Sequence, residues 1–418
     1  MKKYLIVALS IFLLIGCQKP SESAVVSPAN MTHALSLVDS LSINDQIIYF
    51  IHIYADAPDY QPVEAKGEGV GCVDDVGRFM EVLETEILEY KRTDLLPIAR
   101  GMTRFLLYMC RDDGLWYNFI DANGKINRDY RTSKADFEWW AARGLRGLAA
   151  AYNIFSESED DLGLLDRIKG KIETTVPLLE EALESYPQTR DTEFGERPAW
   201  LIRHAPDMNS EFLLALTKLH AAGESDYRDA IEKLAEGLMD YQFQQEGCRL
   251  NGMYFCWQNI WHNWGNNQAY ALLETYRITG DPKILESVQR WADDFVSFLI
   301  EYNFPRRIEM NIDGTYKMST CPQIAYGINS LYRGMKSLAE ISGKPEYGTC
   351  AEQIFAWFTG KNIAGVAMYD AETGRVYDGI NDGPTVNFNS GAESTIEGLL
   401  AIQKRGLSNI IIRKNRNE

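Results

Sequence analysis

The chain has 418 residues with a formal net charge of −17, 45% hydrophobic and 24% charged. That balance suits a folded protein and argues against nucleic acid or an anionic membrane surface as partner, because both need clustered Lys and Arg. Seven cysteines are present, none in CxxC pairs of metal-like spacing, and no glycine-rich loop has nucleotide-binding form. No metal and no nucleotide or other cofactor is therefore expected.

The first element is MKKYLIVALSIFLLIGC. Its basic start and apolar run, too short to span a bilayer, predict a secretory signal over residues 1–16. The ending Leu14 to Cys17 resembles a lipoprotein cleavage box, which implies acylation of Cys17 and attachment to a membrane. Export to the periplasm or cell surface, most naturally on the outer membrane, follows. Residues 17–30, rich in Ser, Pro and Ala, read as a flexible tether. About 390 residues remain, compatible with one repeat-built domain over 31–408 and a basic tail over 409–418.

Beyond the tether, apolar residues recur at spacings of three and four in paired blocks. The pairs are 75–92 with 94–111, 136–155 with 161–185, 208–222 with 226–245, 264–279 with 282–302, and 322–341 with 346–359. A final helix near 391–405 is expected to partner 31–55, giving six hairpins. Asp94 and Pro97 suit a helix start. Within pairs the turns are short (AGESDY, TGDPK, SGKPEY); between pairs they are long and aromatic (GLWYNFIDANGKIN, GMYFCWQNIWHNW). The first helix of each pair carries small residues such as Ala141, Ala142, Gly144 and Gly147, as a crowded inner wall needs. The fold class predicted is all-α: an (α/α)6 toroid with short β-hairpin loops on one rim, where function sits.

The six-pair layout, GCVDDVGR at 71–78, WFTGKN at 357–362, YDAETGRVYDG at 369–379 and NSGAEST at 389–395 together resemble the six-hairpin glycosidase superfamily. The resemblance covers the whole mature chain and implies action on an oligosaccharide or polysaccharide.

Every inner helix starts on the long-loop rim with unusual polar content: Asp74, Asp75 and Arg78; Glu138 and Trp139; Asn209 and Glu211; Trp264 and Asn267; Gln323; Glu393. Ring closure makes the first and last inner helices neighbours, so Asp74 or Asp75 can face Glu393. Glycosidic cleavage usually takes two carboxyl groups, one protonating the leaving oxygen and one acting as base or nucleophile. Asp75 and Glu393 are the preferred pair, with Asp74 and Glu138 in reserve. Substrate contacts are assigned to Arg78, Trp139, His204, Trp261, His262, Trp264 and Asn267, with indole faces stacking on sugar rings. Trp291 and Trp357 are expected in the core.

Plainer roles compete. Asp74 can be a helix cap, Glu393 a capping-box acid reaching back to Ser390, and Arg78 a local partner of Asp74. Three functional alternatives also stay open. His204 and His262 suit a sugar epimerase; Arg78, Arg131, Arg143 and Arg203 could serve a polysaccharide lyase; and the chain could be a glycan-binding lipoprotein without catalysis.

Overall fold

The computed structural model describes residues 26–417, with side chains to 407. The signal segment, the Cys17 lipidation site and most of the tether lie outside the described residues. The α-helices among the described residues are α1 (Thr32–Ser36), α2 (Val73–Leu88), α3 (Leu96–Met109), α4 (Trp139–Phe155), α5 (Leu162–Leu183), α6 (Pro206–Ala221), α7 (Arg228–Asp240), α8 (Gln268–Thr279), α9 (Pro282–Arg290), α10 (Ser297–Glu301), α11 (Ala325–Ser342), α12 (Pro345–Phe355) and α13 (Ala392–Asn417). One wider π-turn, Trp291–Val296, joins α9 to α10.

Helices α2, α4, α6, α8, α11 and α13 pack each against the next, and α13 closes back on α2. The outer layer is α3, α5, α7, α9–α10 and α12. The architecture is an (α/α)6 toroid. Small residues let the inner ring close: a Cβ on Gly77 would stand 2.3 Å from the Arg143 carbonyl oxygen, and one on Gly147 only 2.8 Å from the Gly77 Cα. Trp291 and Trp357 are buried, and the Trp357 indole donates to Gln323 at 2.9 Å.

The sixth hairpin departs from expectation. Residues 31–55 hold only the single turn α1, followed by strands Val38–Ile43 and Gln46–Ile51. Asn44 and Asp45 both take positive φ, 51° and 60°, which closes a two-residue hairpin whose twist matches its strands. The run QIIYFI is β-branched and aromatic, so it favours a pleated surface over a helix. This hairpin packs on α3, while the following loop clamps the start of α13: Ala392 N–H donates to the Ile53 carbonyl (2.9 Å) and Ser390 N–H to that of Ala55 (3.0 Å).

At the other end, α13 runs on to Asn417 through the basic residues expected as a separate tail. Small antiparallel hairpins decorate the rim where the inner helices begin, among them Thr189–Thr192 with Gly195–Pro198 and a three-stranded sheet of Ile260–His262, Arg307–Met310 and Tyr316–Ser319. All six cysteines among the described residues are free thiols. Among those residues no helix is long and apolar enough to cross a membrane.

Candidate active site

An open cleft of about 510 Å³ sits at the mouth of the barrel. Asp74 reaches it from the first turn of α2, Trp139, Trp140 and Arg143 from α4, Trp264 from the loop before α8, Tyr326 from α11 and Glu393 from α13. Loops add Glu68, Asn118 and Arg306. The first and last inner helices therefore contribute carboxylates to one basin.

The helix starts explain why these acids are free for the cleft. The cap of α2 is Cys72, whose thiol sulfur accepts from the Asp75 N–H at 3.4 Å. At α13, Asp378 takes the capping role, accepting from Gly391 N–H (2.9 Å) and the Ser394 hydroxyl (2.7 Å). Ser390 meanwhile donates to the Val376 carbonyl at 2.9 Å, so the expected capping box does not form. Neither Asp74 nor Glu393 is spent on satisfying a helix end.

Asp74 is held from two sides. Arg143 Nη1 donates to one of its oxygens at 3.0 Å and Asn118 Nδ2 to the other at 2.9 Å. Arg78 does not pair with the Asp74 carboxylate; its Nε donates to the Asp74 backbone carbonyl at 3.2 Å. The guanidinium of Arg78, itself buried, instead binds Asp75 (2.7 Å), Glu393 (2.9 Å) and Glu397 (3.4 Å). Glu393 is nevertheless half exposed, with 46% of its side chain in solvent.

Asp75 is not part of the cleft wall. It is 2% exposed, receives the Cys72 thiol proton at 3.2 Å, and braces Arg78 from behind. Burial, only partly offset by Arg78, pushes its carboxyl up to about 6.

Glu68 is the acid that sequence reasoning missed. It lies in the loop GEGVG between Gly67 (φ 83°) and Gly69 (φ 151°), where a Cβ on Gly69 would overlap the Ile120 carbonyl oxygen at 2.0 Å. That crowding sets the loop against the strand Phe119–Ile120 and brings Glu68 to the cleft. Among the described residues its carboxyl has no hydrogen bond or ion pair. Burial first, and then the neighbouring Asp74 charge, raise its pKa against the pull of Arg131. An acid between two glycines, in a GEGVG turn leading into CVDD, was the available signal.

The aromatic residues divide. Trp139 is half-buried with the Arg143 guanidinium 4.9 Å from its ring centre, and Trp264 lines the cleft with the Arg306 guanidinium 5.4 Å from its ring centre. Trp261, expected as a sugar platform, is 1% exposed in the core. His262 stands behind Trp264, stacked on it at 3.9 Å, and pairs with Asp207 at 3.2 Å. Burial works against its cation, but Cys256 and Asp207 outweigh that and push it up to about 10. Asp207, Cys256 and His262 are the one grouping of metal-ligand types among the described residues, with ligand atoms within 4.8 Å of one another.

The remaining predicted contacts lie elsewhere. Glu138 pairs with Arg203 at 3.0 Å, beside the cleft rather than on its wall. Asn267 is buried and donates to Glu211 at 2.9 Å in the barrel interior. His204 lies off the cleft, where the Arg190 charge acts on it. No histidine among the described residues lines the cleft.

No protein-family model matches the chain. No curated protein matches its sequence either. Its fold is shared with solved structures: a cellobiose 2-epimerase from Bacillus thermoamylovorans has a TM-score of 0.63 at 14% identity, over 90% of this chain and 96% of the other. A D-mannose isomerase gives 0.61 at 14% identity over 91% and 95%. A glycoside hydrolase family 76 mannosidase from Bacteroides thetaiotaomicron gives 0.54 at 12% identity over 92% and 97%.

Proposed function

We propose that the protein is a glycoside hydrolase in which Glu68 protonates the leaving oxygen and Asp74 acts as base or nucleophile. The observation that carries this reading is the contrast between two carboxyls in one cleft. Glu68 is partnerless with a raised pKa; Asp74 has both oxygens fixed by an arginine and an amide. An acid without a partner suits the proton donor, and one held by an arginine and an amide suits the base or nucleophile.

Glu393, half exposed on Arg78, is available to a sugar hydroxyl or to an attacking water, and Asp75 acts through Arg78 as a positioning residue. Trp139 and Trp264 supply stacking faces for successive sugar units. The leader sequence and Cys17 support action outside the cytoplasm from a lipid anchor. Sugar-active enzymes of the same fold, both hydrolases and epimerases, support a carbohydrate substrate.

The test is a panel of plant and microbial oligosaccharides incubated with purified protein. Shortened products with new reducing ends, lost in Glu68→Gln by about 10² or more in kcat with unchanged melting, are expected. Epimers of unchanged length, or ultraviolet-absorbing unsaturated products, would replace hydrolysis with epimerisation or elimination. Tight binding of an oligosaccharide that stays uncut would leave only capture.

A further inference from the structure

A second recess, of about 300 Å³, opens on the same rim near the start of α6. Its walls include Arg190, Phe194 and Arg197 of the hairpin Thr189–Pro198, Tyr241 at the end of α7, and Gln258. The register of that hairpin sorts charge by face. Arg190 stands directly opposite Arg197, while the next pair, Asp191 and Glu196, points the other way into solvent. Like charges directly across a ladder destabilise it, so this arrangement has a cost that the hairpin alone does not offset.

Among the described residues neither arginine has a carboxylate within ion-pair distance, although the Asp240 charge acts on Arg197 from further off. Among the described residues Arg190 makes no hydrogen bond or ion pair, and Arg197 donates only to the Asp240 backbone carbonyl, at 2.8 Å. Glu193, on the recess wall, is exposed and pairs with neither arginine. The Nε atoms of both arginines, the Tyr241 hydroxyl and Nδ1 of neighbouring His204 are all buried without a partner. Tyr241 is fully buried, and the Arg197 guanidinium lies 5.4 Å from its ring centre and 5.7 Å from that of Phe255. Burial makes the Arg197 cation less favourable against the opposing pull of Tyr241 and Asp240, while burial and then the Arg190 charge depress His204. Unsatisfied donors and two arginines without an ion pair meet in one pocket of a chain whose net charge is −17.

We propose that this recess binds an oxyanion, the carboxylate or sulfate of an acidic sugar, with Arg190 and Arg197 as its paired cationic donors and Tyr241 as a neutral one. Planar guanidinium groups suit such anions, and an aromatic wall beside them suits a sugar ring. The ligand would relieve the like-charge strain across the hairpin.

The test is calorimetric titration of the full mature protein with sodium glucuronate, sodium sulfate and glucose at matched ionic strength. Glucuronate is expected to bind at a single site and glucose not to bind. Arg190→Gln should weaken glucuronate about tenfold, as loss of one charge-assisted contact does, with melting of the free protein unchanged or slightly raised by relief of the like-charge pair. Glu393→Gln should leave the affinity unchanged, so a failure of the cleft chemistry does not disturb this measurement. Sulfate binding with the same Arg190 dependence would mark a general oxyanion site, and glucuronate alone a sugar-borne carboxylate. Binding of neither anion, or equal binding by Arg190→Gln, would overturn the proposal.

Discussion

The barrel holds two sets of buried charges, and they behave oppositely. In the interior, Arg146 grips Glu81 through two hydrogen bonds at 2.6 and 3.1 Å and also binds Glu211, which accepts from Asn267 and from the Tyr326 hydroxyl. Arg333 adds a second cation on Glu81 at 3.3 Å. Burial opposes ionisation of Glu81 and Glu211, yet the arginines outweigh it and hold both below the usual carboxylate range. At the mouth, Glu68, Asp75 and Glu397 are instead raised, because burial there outweighs the cations nearby. Ion clusters in which the cations win fix the ring; of the raised acids near its mouth, Asp75 and Glu397 brace Arg78 and Glu68 alone lines the cleft without a partner.

That contrast can be broken from either side. Asp74→Asn, which keeps the shape but removes the charge, is expected to lower kcat by about 10² to 10⁴. Melting should be nearly unchanged, and substantial unfolding instead would place Asp74 with the structural set. Arg146→Ala is the converse, costing on the order of 3 to 5 kcal/mol by removing the ion-pair partner of buried Glu211 and one of the two on Glu81. Urea unfolding measures it, and a loss under about 1 kcal/mol would dissolve the distinction.

Asp75 gives an intermediate effect. Its folded pKa of about 6 lies above the ordinary value of 3.8. Its stabilising contribution is thus fully present below about pH 4 and is lost as pH rises through about 6. Relative to Asp75→Asn, the wild type should lose on the order of 2 to 3 kcal/mol between these limits. Unfolding curves of both proteins at several pH values would show it, and parallel pH profiles would refute it. The smallest change is expected for Trp139→Ala, a rise in KM of about tenfold with kcat little altered.

Much of the ring was legible because its inner helices must repeat an apolar face and stay small where they touch; Gly77 and Gly147 sit at one such contact. The hairpin at 38–51 escaped because its signal was the Asn44-Asp45 turn, which spacing of apolar residues does not register. For the cleft, proximity of the CVDD turn to Glu393 could be argued from closure, and both side chains now meet Arg78. Which of two adjacent aspartates faces solvent could not, since one residue of helical rotation separates a cleft acid from a buried brace. Trp261 and Trp264 likewise differ only in which side of a short strand's end each indole takes.

The loop clamp of residues 53–55 on the start of α13 ties events at opposite ends of synthesis together. A polypeptide still emerging from the ribosome carries Asp74 and Glu68 long before Glu393 exists, and Arg78 then lacks two of its three carboxylate partners. All three carboxylate partners of Arg78 are therefore present only once translation has passed residue 397, and the basin closes late in synthesis.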